Sequence, residues 1–311
     1  MVTPASNHLA IVGPTASGKS ALALELARRR PDLEIVSVDS MQVYRGMDIG
    51  TAKPTPAERA QVPHHLLDLV DPAEGFSLVQ FQVAARAAIA GIEARGHRAL
   101  LVGGTGLYVR AVIDRLDLPG RFPEARVSAE AEADTERLHR RLVEVDPTAA
   151  ARMEPTNRRR VVRALEVTLG SGRPFSSYGP GLAAYPTTPF AQLGLRTDPA
   201  VLDERIAVRF AAMLDRGLLA EVAALAARPA PLSPSAGQAL GYRELLAHLE
   251  GRSSFDEAVQ EAIRRTRRFA RRQLRWFRRD PRISWCEVGD GDPDNLLARA
   301  GDLLGEWSPC S

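Results

Sequence analysis

The sequence predicts an α/β fold in which a parallel sheet, with helices on both faces, surrounds a phosphate-binding loop and is interrupted by a helical insertion. Three observations carry that prediction. A short apolar, β-branched run at residues 8–12 leads into a glycine-bearing loop and then a helical pattern. Two further apolar runs, at 34–38 and 99–102, are separated by a helical pattern, as in strands joined by crossover helices. From about residue 114 to about 189 the texture changes and becomes rich in Ala, Glu and Arg.

The first strand, 8–12, is followed by a helix over 21–30, where Leu22, Leu24 and Leu26 recur at helical spacing. The second strand, 34–38, ends at Asp39. A helix over 79–94 then leads to the third strand, 99–102, which ends at Gly103 and Gly104. Helical patterns at 128–144 and 157–169 fill the insertion, expected to span 114–189 between the core segments 1–113 and 190–311. Pro174, Pro180, Pro186 and Pro189 preclude long regular elements on the way back to the core. A strand at 190–195 and helices at 202–214, 219–227, 242–250 and 255–278 complete the chain.

With 311 residues, the chain is long enough for two cores, and 45% hydrophobic and 25% charged residues place it among soluble globular proteins. No secretory leader opens it and no apolar run reaches bilayer length, so a cytoplasmic protein is expected. Cys286 and Cys310 lack ligand spacing and read as ordinary thiols of a reducing compartment. The net charge of +3 says little about partners. The lysines say more. Lys19 and Lys53 are the only two, every other cation being arginine, and both stand inside motifs where a compact ammonium is required.

Gly13-Pro14-Thr15-Ala16-Ser17-Gly18-Lys19-Ser20 fits the phosphate-loop pattern G-x-x-x-x-G-K-[ST] between a strand and a helix, so the core is expected to be P-loop NTPase-like. Backbone N–H groups and the helix N-terminus cradle phosphate oxygens, Lys19 adds charge, and Ser20 can ligate Mg²⁺. The third strand ends in Gly103-Gly104-Thr105-Gly106, without the metal-holding Asp of many phosphoryl-transfer enzymes. Asp39 ends the second strand facing the same cleft. It is open there to a role as base or metal-shell ligand, or as the cap of the next helix. His64 and His65 lack metal partners at ligand spacing and read as loop residues. Tyr44 and Tyr108 are open to base stacking or to packing.

Near the C-terminus Arg264, Arg265, Arg267, Arg268, Arg271, Arg272, Arg275, Arg278 and Arg279 alternate with Phe269, Trp276 and Phe277. Such a helix suits RNA, although a charge run by itself is no more than a solvated face.

The run Val38-Asp39-Ser40-Met41-Gln42-Val43-Tyr44-Arg45-Gly46-Met47-Asp48-Ile49-Gly50-Thr51-Ala52-Lys53-Pro54, after such a loop, resembles the tRNA dimethylallyltransferase family. The resemblance continues through Pro63-His-His-Leu66, Val102-Gly-Gly-Thr-Gly-Leu-Tyr108, Arg163-Ala-Leu-Glu166, Gly241-Tyr-Arg243 and residues 266–277. It departs at Arg158-Arg159-Arg160, where the family often has a glutamine.

The resemblance implies transfer of a dimethylallyl group from dimethylallyl diphosphate to the exocyclic amine of the adenosine 3′ of the anticodon, in tRNAs reading codons that begin with U. Diphosphate falls to residues 13–20 and Arg209, Mg²⁺ to Ser20, and catalysis to Asp39, Thr105 and Lys19. Contact with the tRNA anticodon stem-loop falls to Asp39, Ser40, Met41, Gln42 and Thr105, to Arg126, Arg159, Arg160 and Arg163 of the insertion, and to Arg268, Arg271 and Arg275. A monomer is expected. A small-molecule kinase and an adenylate prenyltransferase would also use the loop, and a non-catalytic RNA-binding module would explain the arginines but not Asp39.

Overall fold

The structure, a computed structural model, describes residues 8–179, 181–288 and 293–305; Cys310 lies outside them. The chain divides into two compact units, 1–114 with 187–311, and 115–186.

The first unit runs β1 (His8–Val12), α1 (Lys19–Arg29), β2 (Leu33–Ser37), α2 (Pro56–Gln61), β3 (His64–His65), α3 (Leu78–Ala94), β4 (Arg98–Gly103) and α4 (Gly106–Ile113). The second unit contributes α5 (Pro123–Glu130), α6 (Thr135–Val145), α7 (Pro147–Ala151) and α8 (Arg158–Ser171). The first then resumes with β5 (Phe190–Arg196), α9 (Pro199–Asp215), α10 (Leu218–Ala226), α11 (Tyr242–Leu249), α12 (Phe255–Phe277), β6 (Ile283–Glu287) and α13 (Pro293–Leu304).

The six strands form one wholly parallel sheet in the order β3-β2-β4-β1-β5-β6. The chain runs from β1 out to β2 and β3, returns to β4 beside β1, and then continues on the other side with β5 and β6, so the loop after β1 opens at the carboxyl edge where the strand order reverses and such folds bind ligands. Successive side chains on a strand face opposite ways. Ala10, Val12, Val36, Val38, Ala99 and Leu101 therefore join one core with α3, α4 and α9 to α12. Leu9, Ile11, Leu33, Ile35, Leu100 and Val102 join a second core with α1 and α13. Helices thus cover both faces.

Three local readings are corrected. His64 and His65 form the edge strand β3, paired with Ile35 and Val36, rather than a loop. The helix expected over 128–144 is two, because Asp134 turns its carboxylate onto the Glu136 N–H and starts α6 afresh. Edge strand β6 and helix α13 follow α12, where no element was expected. Among the described residues no helix is long and apolar enough to cross a membrane.

In the second unit Leu138, Leu142, Val161, Val162 and Leu165 pack together. The buried Glu166 carboxylate accepts from the Phe122 N–H at 3.0 Å and from Arg163 at 2.5 Å.

Candidate active site

Gly13 carries φ 146°, and a Cβ there would lie 2.6 Å from the Leu195 carbonyl oxygen of β5, so only glycine lets the loop leave β1 against its neighbour. Gly18 is left-handed and α1 starts after it with no side-chain cap, leaving the N–H groups of its first turn for an outside acceptor. Ser20 sits exposed on that turn. Thr15 and Ala16 are half-buried, Ala16 with φ 62°. Ser17 is fully buried, and its Oγ has no hydrogen-bond partner among the described residues.

Lys19 Nζ donates to the Pro14 carbonyl at 2.5 Å, from inside the loop. Burial, and then the Arg209 guanidinium, push the Lys19 ammonium down to about 7, with the Asp39 carboxylate opposing them. Burial likewise lowers Arg209, again against Asp39, with Arg216 adding repulsion. Among the described residues neither Lys19 nor Arg209 has a carboxylate within ion-pair distance. Two desolvated cations within electrostatic reach of each other, with no carboxylate paired to either among the described residues, form a place for an anion.

Asp39 Oδ1 accepts from the Met41 N–H at 2.8 Å, closing a turn at the end of β2. It caps no helix, since the next one begins at Pro56. Thr105 precedes α4, and its hydroxyl makes no capping bond there. The ends of β2 and β4 touch. A Cβ on Gly103 would lie 2.1 Å from the Val38 carbonyl oxygen, so Asp39 and Thr105 leave adjacent strands at one edge.

The segment 38–54 is tied down by its own motif. Gln42 accepts from Ser37 Oγ at 2.7 Å and donates to the carbonyls of Thr51 and Ala52, which uses its amide for architecture. Ser40 and Met41 are half-buried, and Met41 packs on the core. Buried Lys53 donates to the Tyr44 carbonyl at 2.5 Å, Asp48 at 2.7 Å and Asp68 at 2.5 Å, one acceptor for each N–H of an ammonium. Glu221 accepts from the backbone N–H groups of Asp48, Ile49 and Gly50 and from the Tyr242 hydroxyl at 2.6 Å. Tyr44 is core, and the Tyr108 ring packs on Phe81 with centroids 4.6 Å apart.

Helix α12 buries Ala262, Ala270, Gln273 and Phe277. Exposed Arg264, Arg268, Arg271 and Arg275, spaced at helical period, run along another face. Arg271 pairs with Asp203 of α9 at 2.5 Å and Arg268 with Glu261 at 3.5 Å, whereas Arg275 makes no ion pair among the described residues. In the second unit Arg163 is bound to Glu166 and to the carbonyls of Pro119 and Gly120, and Arg126 pairs with Glu130 at 2.7 Å. Arg159 and Arg160 are exposed with no ion pair among the described residues.

The motifs did not single out Gln273, Glu221 or Asp203. For Gln273 a signal existed. It is a polar residue on the stripe that carries Ala270 and Phe277, a position where an amide is kept only if its bonds are made.

A family model described as IPP transferase matches residues 42–280, and one described as Isopentenyl transferase matches residues 6–75. The chain is 51% identical over 291 residues to a tRNA dimethylallyltransferase of Salinispora arenicola, covering 92% of this chain and 84% of that one. Among solved structures it resembles the full-length tRNA isopentenylpyrophosphate transferase of Bacillus halodurans, with 40% identity, a TM-score of 0.69 and 94% of each chain covered. A eukaryotic dimethylallyltransferase acting on tRNA is 27% identical with a TM-score of 0.74, over 90% of this chain and 73% of that one.

Proposed function

The chain belongs to the tRNA dimethylallyltransferase family, and from that membership we propose how its residues divide the work of prenyl transfer. The enzyme transfers a dimethylallyl group to tRNA. Its donor is dimethylallyl diphosphate and its acceptor the exocyclic amine of the adenosine 3′ of the anticodon, in tRNAs reading codons that begin with U. The work is done in the cytoplasm, where tRNA is used.

The observation that carries this reading is the pair of desolvated cations, Lys19 and Arg209, which both feel the Asp39 carboxylate while neither is ion-paired to it. The N–H groups at the start of α1 and these two cations hold the departing diphosphate, where charge grows as the allylic C–O bond breaks. The amine nitrogen forms the new C–N bond and becomes cationic, and Asp39 accepts the proton it sheds. Thr105 positions the amine opposite the loop. The adenine is swung out of its stack to reach them.

Mg²⁺ fits this site. Exposed Ser20 offers one oxygen beside the diphosphate, and a cation that keeps several waters would take its other oxygens from the substrate. When bound there it would neutralise charge on the leaving group.

Arg275, with Arg268 and Arg271, meets the tRNA backbone from α12. Arg159 and Arg160, with Arg126 and Arg163, meet the anticodon stem-loop from the second unit. A kinase reading is not favoured, since β4 ends in glycines without a carboxylate. Incubating tRNA with dimethylallyl diphosphate and weighing the digested nucleosides tests the proposal. The expected product is one dimethylallyl unit on the adenosine 3′ of the anticodon; an unchanged nucleoside mass overturns it.

A further inference from the structure

We propose that Gln273 is a positioning residue whose single carboxamide sets the gap between the diphosphate cradle and Thr105. The proposal rests on the prenyl-transfer reading. Gln273 is 7% exposed, on the inner face of α12. Its Oε1 accepts from the Thr15 N–H at 2.9 Å, and its Nε2 donates to the Gly104 carbonyl at 2.9 Å. The two partners fix the orientation of the amide, because a backbone N–H can meet only the oxygen and a carbonyl only the NH₂.

The segments so joined are the two halves of the site. Thr15 belongs to the loop assigned to the leaving group, and Gly104 immediately precedes Thr105, assigned to the attacking amine. The amide fills the space between them closely. A Cβ on Gly104 would lie 2.2 Å from Gln273 Nε2 and 3.2 Å from the Gly13 carbonyl oxygen. The amide thus ties Thr15 to Gly104 directly, and no room for a side chain is left at Gly104 between it and the Gly13 carbonyl. The Thr15 N–H is consequently taken by protein, and the diphosphate is left to the N–H groups further along the loop.

In-line attack needs the amine and the departing oxygen on opposite sides of one carbon, so an error in this gap acts on the chemical step more than on the binding of either substrate. A shift of an ångström between reacting groups costs about 10²-fold.

The test compares the full-length enzyme with Gln273→Met, which keeps the shape and removes both bonds, and Gln273→Glu, which keeps the Thr15 bond but sets a carboxylate against the Gly104 carbonyl. Single-turnover prenylation is measured at saturating tRNA and dimethylallyl diphosphate, together with the affinity for inorganic diphosphate and for tRNA. The expected result is a rate loss of ~10- to 100-fold in both variants, with both affinities within about threefold of the parent. In a double-mutant cycle with Thr105→Val, the Gln273→Met loss should largely disappear, because the residue it positions has already been removed. Fully additive losses, or parental rates in folded Gln273→Met, overturn the proposal. Should that variant not fold, Gly104→Ala displaces the amide from the other side and the same outcomes decide. A parent enzyme that does not prenylate tRNA would instead sink the functional reading itself.

Discussion

At the scale of single residues, Lys19 ties the architecture of the loop to a measurable proton. Its ammonium is held near 7 by burial and by Arg209, so above that pH the empty site is largely neutral at this position. An arriving diphosphate favours the charged form and pulls a proton onto it. Diphosphate binding at pH 8 should take up a proton, and affinity should fall as pH rises above 7, by at most about tenfold per unit. Calorimetry at pH 8 in two buffers of different ionisation enthalpy reads the uptake directly, and equal heats in both would remove Lys19 from the diphosphate site. Lys19→Ala should abolish the uptake and slow transfer by ~10²-fold or more. Asp39→Asn, nearly the same shape, should keep both substrate affinities and slow single-turnover transfer by ~10²- to 10⁴-fold. Recovery of that rate by added Mg²⁺ would give Asp39 to the metal shell instead of to the proton.

Individual elements were legible in the sequence to the extent that their chemistry is local. The loop after β1 is largely local chemistry, since Gly13 and Gly18 both take backbone angles that favour glycine, although Gly13 also has to clear Leu195 of β5. So is α12, whose apolar stripe and arginines recur at helical period. What escaped depends on partners far along the chain. His64 and His65 became a strand only because β2 offers an open edge, and β6, Ile283-Ser-Trp-Cys-Glu287, is only partly buried and has no continuous apolar run to announce it except beside β5. Nothing near Gln273 reveals that it reaches Thr15. The same dependence grades the arginines of α12. Arg271 is already held by Asp203, and a tRNA phosphate has to replace that carboxylate, whereas Arg275 has no such rival among the described residues. Arg275→Ala should therefore lower the slope of log affinity against log salt by roughly 0.7 to 0.9, and Arg271→Ala by less. Equal slopes for both variants and the parent would return the stripe to an ordinary solvated face.

For the whole molecule, one buried carboxylate, Glu34, contributes to behaviour in acid. Burial by itself pushes Glu34 up, but hydrogen bonds from Arg95, His65 and His97 overturn that and hold it at about 2, against an ordinary 4.5. A depressed carboxyl stabilises the fold at pH above its unfolded value, so this contribution is intact above about 4.5 and drains away as pH falls towards 2. Denaturant melts of Glu34→Gln and the parent should differ most near neutrality, draw together below about pH 4.5 and converge only towards pH 2; a constant difference would mean the loss is one of packing alone. The pairing of β1 sets a timetable as well. Its register joins Leu9 to Leu100 on one side and His8 to Phe190 on the other, so the first strand to leave the ribosome can complete neither ladder until its distant partners have been synthesised. The ladders of β3, β2, β4 and β1 and then the contacts within residues 115–186 can form as each stretch emerges, whereas β5, whose Leu195 carbonyl lies against Gly13, is made only after the insertion. During synthesis the phosphate loop is therefore among the first segments made and among the last to acquire its shape.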